Sequence, residues 1–493
     1  MAQDGALFFT QRQQPGSSIE PRPRPNTAKL VRFDFKTAKV STAMEGIQGF
    51  SLSADGKKII VQTPGNKLLV GNAAKSIDAK PVKTAGVKSF ITPREEWAQI
   101  FDDVWRMEKQ YFYAENMHGL DWDAVYTKYQ PLVAHVATRR ELNRVLVEMI
   151  GELQVGHNRV RGGDMYTDKP VSIGLLGADL RVENDTYRIK RVYSGEKWNP
   201  FLKAPLAIPG IGAGAGDYIH AINGTPLTGT DNIYARFVGT VGNQVTLSVS
   251  SDGKIENAKD VVVEPIRSER QLRHWAWVEG NRKHVDEVSG GKVGYIYLPD
   301  TAGRGFTYFN RMFFAQADKK ALVIDERRNG GGQAANYITD VLSRQYLASW
   351  KDRDGMLFHT PGGAIYGPKA MLIDQDAGSG GDLLSYAFKH MGLGKLIGKT
   401  TWGGLIGISA NPRLIDGGSL TVPYFRTFST EGKWFIENEG ISPDIDVELD
   451  PAKVNMGIDT QLDRAISQVL TELETYTPVQ ASKAPDLPTE PGK

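Results

Sequence analysis

The sequence predicts a multidomain α/β chain in which a small β module separates a helical subdomain from an α/β subdomain. Its 493 residues, of which 40% are hydrophobic, suffice to bury several cores. Amphipathic helical patterns occupy residues 89–168, and alternating β patterns with Gly-rich turns occupy 169–266. Over 267–475, buried apolar runs alternate with amphipathic segments, which is typical of a sheet with crossover helices.

The two ends of the chain differ in composition from the rest. Residues 1–28 hold several Pro and Gln with little apolar periodicity, which predicts a disordered lead-in, and the Pro, Ser and Lys of 476–493 predict a disordered tail. Over 29–88, short β-like runs flank the turn Asp55-Gly56 and indicate one blade of a β-propeller. A single blade cannot cover its own edges, so we expect the intact protein to be longer.

The helical subdomain begins with a capping box. Thr92-Pro93-Arg94-Glu95 places an N-cap hydroxyl, a first-turn proline and a glutamate in the order of a helix start. Further helical patterns run over 122–136 and 139–153. The last one leads into a short loop of small residues that ends at His157.

Composition and charge exclude several classes of partner. The 59 basic residues nearly cancel the 57 acidic ones, and no basic run interleaves with aromatics, so we expect no nucleic-acid partner. The absence of Cys excludes disulfides, thiolate zinc sites and a cysteine nucleophile. We expect no membrane partner and a cytoplasmic location, because no apolar stretch reaches eighteen residues and the first thirty lack the apolar middle of a signal peptide.

The most informative motif is a strand, a glycine-rich turn and a helix around Ser379. The apolar run 371–374 precedes Ala377-Gly378-Ser379-Gly380-Gly381, and a helical pattern follows. A serine on such a turn lies at a helix N-terminus, whose free N–H groups can stabilise an oxyanion. The turn departs from the Gly-x-Ser-x-Gly elbow, because Ala377 replaces the first glycine. The alternative is a loop that merely begins a helix.

Other residues complete a hypothetical acyl-transfer site. Asn329-Gly330-Gly331-Gly332 follows the buried strand 321–325, so its N–H groups could face Ser379, although a tight loop is the simpler explanation. Among eight histidines, only His157 follows a strongly periodic helix in a small-residue loop, which makes it the candidate base. Glu437 is the candidate orienting acid, with Glu439 as its rival.

Metal chemistry lacks a sequence signal. The chain has no His-Glu-x-x-His motif and no pair of histidines at ligand spacing, and no phosphate-binding glycine motif ends in Lys-Ser or Lys-Thr. We therefore expect no metal and no organic cofactor.

Several segments between residues 29 and 475 carry a family resemblance. They are Trp97-Ala98-Gln99-Ile100-Phe101-Asp102, Tyr111-Phe112-Tyr113, Ile150-Gly151-Glu152-Leu153, Ala377-Gly378-Ser379, Leu393-Gly394-Lys395-Leu396-Ile397-Gly398, Thr401-Trp402-Gly403-Gly404 and Arg413-Leu414-Ile415-Asp416-Gly417. Together they resemble the tricorn-type serine peptidases, within the superfamily of the tail-specific and C-terminal processing peptidases. The resemblance implies an upstream propeller, a helical subdomain, a PDZ-like β module and an α/β catalytic subdomain of the tail-specific protease type.

The resemblance also implies roles for individual residues. The expected catalytic set is Ser379 as nucleophile, His157 as base and Glu437 as orienting acid, with an oxyanion hole formed by Gly330 or Gly331 and by Gly380. The implied function is hydrolysis of peptides or unfolded polypeptide segments, without a cofactor and in a homo-oligomer when the protein is full length.

Three departures from the family pattern leave alternatives open. Gly156 stands where a serine commonly precedes the histidine, Gly380 stands where an aspartate often follows the nucleophile, and residues 349–351 lack an acid that would select basic side chains. One alternative is a catalytically degenerate scaffold that binds peptides through its PDZ-like module. A second is an esterase of another α/β class. The PDZ-like module itself either binds peptides or only joins the two halves of the enzyme.

Overall fold

The computed structural model describes residues 1–12, 27–84, 86–168, 170–196, 198–199, 202–478, 484–487 and 489–490. It divides the chain into two compact units, Met1–Pro93 and Arg94–Lys493. Within the described ranges, no helix is long and apolar enough to cross a membrane.

The first unit consists of two antiparallel sheets. Its strands are β1 (Leu7–Gln11), β2 (Ala28–Asp34), β3 (Lys39–Ile47), β4 (Gly49–Leu52), β5 (Lys58–Thr63), β6 (Lys67–Asn72) and β7 (Lys80–Pro81). The strand order is β1-β2-β3 in one sheet and β4-β5-β6-β7 in the other. Alternating side chains such as Leu30, Ile47, Ile59 and Val61 are buried and form one core.

The predicted disordered lead-in over residues 1–28 is wrong in the part that the structure describes. Strand β1 pairs with β2, and Phe8 is only 6% exposed in the core of this unit. Ala6 and Phe8 lie two residues apart, so their side chains point to the same side and are buried together. Two apolar positions are too few to be recognised as a periodic pattern in the sequence. Residues 13–26 lie outside the described residues. The single blade expected over 29–88 is divided between two sheets, and its membership of a propeller stays a prediction.

The second unit begins with the helical subdomain. It contains α1 (Pro93–Tyr111), α2 (Trp122–Val133), α3 (Arg139–Gly151) and β8 (Arg159–Arg161). Leu142 and Leu146 on one face of α3 are fully buried in its core. That core also includes residues from far along the chain, namely Ile406, Leu414, Leu420 and Val422.

A distant segment therefore completes the helical subdomain. Strand β8 pairs with Ser419–Thr421, and the Arg139 guanidinium forms a buried ion pair with Asp416 at 2.6 Å. The core of the helical subdomain therefore includes residues beyond the predicted boundary at residue 168.

The β module forms one antiparallel sheet. Its strands are β9 (Ala178–Glu183), β10 (Thr186–Val192), β11 (Tyr218–Ile222), β12 (Thr225–Pro226), β13 (Val245–Ser250) and β14 (Lys259–Val263). The order is β14-β13-β11-β10-β9, with β12 paired to β11, so β9 lies at an edge. Ile189, Ile219 and Leu247 are fully buried in the core of this module.

The α/β subdomain is built on a five-stranded parallel sheet. Its elements are α4 (Arg270–Val288), β15 (Val293–Tyr297), α5 (Gly303–Phe314), β16 (Ala321–Asp325), α6 (Ala335–Leu342), β17 (Ala348–Lys351), β18 (Leu357–Thr360), β19 (Lys369–Ile373), α7 (Gly380–His390), β20 (Lys395–Gly398), β21 (Gly407–Ile408), β22 (Ser419–Thr421), β23 (Pro423–Phe425), β24 (Ile445–Asp446), α8 (Pro451–Asn455) and α9 (Thr460–Thr475). The sheet order is β15-β16-β19-β20-β24.

This sheet brings the two glycine-rich loops to one edge. Strands β15, β16 and β19 are buried along their whole length, as their continuous apolar runs predict. Strands β16 and β19 are parallel neighbours, so the loops that follow them, 326–332 and 374–380, meet at their carboxyl ends.

Candidate active site

Ser379 occupies a strained turn between β19 and α7. Its φ of +56° lies in the left-handed region, which residues with a Cβ rarely adopt. Ser379 immediately precedes the first residue of α7 and is half-buried. The backbone N–H of Ser379 donates to Asp382 Oδ2 at 2.6 Å, which holds the turn in place.

Asp382 organises the turn, and the sequence analysis missed it. Its buried carboxylate also accepts from Thr401 Oγ1 at 2.5 Å, from the Gly403 N–H at 2.9 Å and from the Gly404 N–H at 3.1 Å. Burial raises the pKa of Asp382, and these hydrogen bonds oppose that shift. A signal was available, because an acid three residues after a serine at a helix start is a capping-box pattern.

The three predicted oxyanion donors differ in this structure. The Gly330 N–H donates to the Pro299 carbonyl at 3.1 Å, and the Gly331 N–H donates to Asn329 Oδ1 at 2.9 Å. The Gly380 N–H has no acceptor within the described residues. Gly331 lies close to Ser379, since a Cβ atom at Gly331 would come within 2.7 Å of the Ser379 Cβ. Only Gly380 therefore presents a free N–H in this conformation.

His157 lies half-buried in the loop between α3 and β8. Burial lowers its pKa, while the negative charges of Glu437 and Asp382 oppose this shift. Its Nδ1 atom is buried and has no hydrogen-bond partner in the described part of the chain. A neutral imidazole is therefore favoured, which is the form that a general base requires.

Glu437 contacts the backbone around His157 and not its ring. One carboxylate oxygen accepts from the Gly156 N–H at 3.0 Å, and the other accepts from the N–H groups of Leu405 and Ile406 at 2.8 and 2.9 Å. Glu437 is 7% exposed, whereas its rival Glu439 is exposed. Burial and bonding thus favour Glu437 as the acid of the site.

Comparison with known proteins identifies three successive domains. The Tricorn protease C1 domain matches residues 93–151, the Tricorn protease PDZ domain matches 174–268, and Peptidase family S41 matches 292–447. The α/β subdomain is thus similar to peptidase family S41 and is called the S41 subdomain below. The predicted resemblance to tricorn-type serine peptidases is confirmed, as is the predicted α/β multidomain fold with a PDZ-like module and an α/β subdomain of the tail-specific protease type. The propeller blade stays a prediction.

Full-length relatives agree with these domains. Tricorn protease homolog 1 of Streptomyces coelicolor is 35% identical over 479 residues, which cover 94% of this chain and 44% of that protein. Tricorn protease of Thermoplasma acidophilum is 32% identical over 453 residues, which cover 92% of this chain and 42% of that protein. The crystal structure of the tricorn protease matches with a TM-score of 0.87 at 31% identity, covering 95% of this chain and 46% of that one. The chain spans less than half the length of these relatives.

Trp402 lies between the loop of His157 and the loop of Ser379, and no local pattern in the sequence predicted this position. Its ring lies edge-on to His157, with centroids 5.2 Å apart. Two glycines leave room for the indole, because a Cβ atom at Gly156 would come within 2.7 Å of it and a Cβ atom at Gly378 within 2.6 Å. The loops of His157 and Ser379 therefore meet on the same indole.

The predicted site residues lie on loops that contact one another or share a neighbour, and their catalytic roles stay predictions. Gly331 lies against Ser379, and His157 contacts Trp402, which also lies against Gly378. Glu437 is joined to the His157 loop through the Gly156 backbone. Within the described residues, no group of three or more His, Asp and Glu side chains could hold a metal ion.

Proposed function

We propose that this chain hydrolyses peptide bonds in peptides or unfolded polypeptide segments, with Ser379 as nucleophile. The observation that carries the proposal is the left-handed Ser379 at the start of α7, next to the loop of a histidine whose pKa is lowered by burial. The S41 and tricorn-type domains support the same reaction class.

The geometry supports an acyl-enzyme route. The Ser379 hydroxyl attacks the scissile carbonyl carbon while its proton passes to His157. The oxyanion accepts from the Gly380 N–H at the positive end of α7, and a second donor requires Gly330 or Gly331 to leave its present acceptor. His157 then protonates the leaving amine as the peptide C–N bond breaks, which leaves the acyl group on Ser379. A water molecule that His157 deprotonates attacks the acyl carbon, and His157 returns this proton to the Ser379 oxygen as the ester bond breaks.

Glu437 acts on this cycle through charge and position. As the imidazolium of His157 forms, the buried carboxylate stabilises it electrostatically. Its hydrogen bonds to Gly156, Leu405 and Ile406 fix the loop that carries the base. We propose that it orients His157 through the loop backbone.

Hydrolysis of a mixed fluorogenic peptide library tests the proposal. We expect cleavage by the parent chain, and a loss of at least about a thousandfold in Ser379→Ala. Circular dichroism of both proteins controls for folding. Equal cleavage by both proteins would refute Ser379 as the nucleophile.

A degenerate scaffold is the second candidate, because one specific observation favours it. Gly330 and Gly331 both donate to internal acceptors, and His157 Nδ1 has no partner in the described residues. If neither protein cleaves the library and a fluorophosphonate fails to react with Ser379, this candidate replaces the peptidase.

We further propose that the protein is a cytoplasmic homo-oligomer. An apolar hairpin supports self-association: Trp350 on β17 and Phe358 on β18 stack with centroids 6.1 Å apart, and their exposed fractions are 55% and 46%. The absence of Cys in the sequence is compatible with a reducing compartment. Light scattering tests the oligomeric state, and cell fractionation tests the cytoplasmic location.

A further inference from the structure

The edge strand β9 offers a place for an added peptide strand. It ends the strand order of the PDZ domain and directly follows the loop Gly174-Leu175-Leu176-Gly177. Peptide-binding domains of this kind accept an extended peptide along a sheet edge, and backbone N–H groups capture its terminal carboxylate. The acceptor that is bonded to these N–H groups therefore determines whether a peptide carboxylate can bind there.

In this chain an internal carboxylate occupies that position. Glu269 Oε1 accepts from the Gly177 N–H at 2.7 Å and from the Ala178 N–H at 3.1 Å. Glu269 is 8% exposed, so its carboxylate is withdrawn from solvent. It immediately precedes α4, the helix that leads into the S41 subdomain.

Arg273, one helical turn further on, completes the contact. Its guanidinium donates to Glu269 Oε2 at 2.6 Å and to the Ala178 carbonyl at 3.3 Å. It also donates to Asp179 Oδ1 at 2.5 Å and to the Tyr193 hydroxyl at 2.7 Å. Both backbone groups of Ala178 are thus bonded to side chains of α4, as the terminal residue of an added strand would bond them.

We propose that Glu269 and Arg273 occupy the carboxylate position of the PDZ domain, and that a peptide with a free C-terminal carboxylate binds there by displacing Glu269. Such a ligand fits because Arg273 remains to pair with the incoming carboxylate, while Gly177 and Ala178 supply the N–H donors. A peptide amide lacks the charge and is a poor substitute.

The contact also ties the PDZ domain to the S41 subdomain. Helix α4 packs against β15, where Asn281 donates to the Tyr295 hydroxyl at 3.1 Å. A peptide terminus that displaced Glu269 would loosen α4 at the end nearest the PDZ domain. The structure thus favours a joining role for this domain in its unliganded form.

Peptide arrays test the proposal independently of hydrolysis. The protein carries Ser379→Ala to prevent cleavage, and the probes are random decapeptides tethered by their N-termini, with either free or amidated C-termini. We expect Glu269→Ala to bind the free-carboxylate peptides at least tenfold more strongly than the parent, with binding to the amidated peptides unchanged. The matched control is Glu264→Ala, an exposed glutamate on the same segment, which should leave binding unchanged.

Two results would overturn the proposal. One is equal binding of free-carboxylate peptides by the parent and by a folded Glu269→Ala protein; the other is an equal gain for the amidated peptides. If Glu269→Ala does not fold, Glu269→Leu is used, because leucine retains much of the side-chain volume but has no accepting oxygen, and hydrogen exchange of the Gly177 and Ala178 amides is measured. We expect exchange at least tenfold faster than in the parent, and unchanged exchange would contradict the assignment of Glu269 as their acceptor.

Discussion

At the scale of single residues, the environment of His157 determines how the site responds to pH. The ring is half-buried against Trp402, and burial is the largest influence that lowers its pKa. Glu437 and Asp382 act in the opposite direction through their charges. The balance keeps the base neutral at a lower pH than an exposed histidine would allow.

Replacing Trp402 should therefore move the pH profile. Activity needs neutral His157, so kcat/KM of the parent falls as pH decreases through a midpoint below the ordinary value of 6.5. Trp402→Ala exposes the imidazole and should shift this midpoint upward while lowering kcat. The pH dependence of kcat/KM measures this, with exposed Trp350→Ala as the control. An unshifted midpoint would show that the indole does not shield His157.

Glu437 and Glu439 form a matched pair for a second prediction. Glu437→Gln removes the charge that favours imidazolium and replaces one accepting oxygen with a donor, so kcat should fall by roughly tenfold or more. Glu439→Gln changes an exposed side chain and should leave kcat unchanged. Steady-state kinetics of both variants decide between them, and an equal loss in both would contradict the assignment.

Local pattern made Ser379 and His157 candidates, but it could not choose between Glu437 and Glu439, which lie in one turn. Burial made that choice, and burial depends on contacts between Glu437 and residues 405–406 that are distant in sequence. Asp382 was recognisable as a capping-box acid. Trp402 carries no local signal, because its role comes from glycines in separate loops.

At the scale of elements, α1 contains a buried acid, Glu108, which makes the stability of the helical subdomain depend on pH. Glu108 is fully buried, and burial raises its pKa to about 8. Unfolded glutamate ionises near pH 4.5, so the unfolded state releases its proton over a range in which the folded state retains it. The stability of the fold should therefore decrease as pH rises from about 4.5 to about 8.

Glu108→Gln removes this dependence. The variant should unfold at a higher temperature than the parent, and the difference should grow with pH to an equivalent of up to about 4 kcal/mol at pH 8. Thermal unfolding followed by circular dichroism at pH 5, 6.5 and 8 measures it. The exposed Glu115→Gln is the control and should follow the parent. A constant difference across this range would contradict the raised pKa.

At the scale of the whole molecule, the second unit is interleaved. The helical core is completed by residues of the S41 subdomain, and Arg139 pairs with Asp416 across 277 positions of sequence. The order of the subdomains could be predicted, because helical and β periodicities are local. The interleaving could not be predicted, since a local pattern does not indicate which distant segment packs against a helix.

Breaking the Arg139–Asp416 pair should therefore destabilise the second unit. Asp416→Ala leaves a buried guanidinium without its carboxylate, which typically costs about 3–5 kcal/mol. Chemical denaturation compared with that of exposed Asp164→Ala measures the loss. A change below about 1 kcal/mol would mean that this pair does not join the subdomains.

Covalent labelling tests directly whether Ser379 is the nucleophile and whether His157 activates it. The parent, Ser379→Ala and His157→Ala proteins are incubated with a fluorophosphonate, and peptide mass spectrometry locates the modified residue. We expect rapid modification of Ser379 in the parent, slow modification in His157→Ala and none in Ser379→Ala. Modification of a different serine, or modification of Ser379 at the same rate without His157, would contradict it.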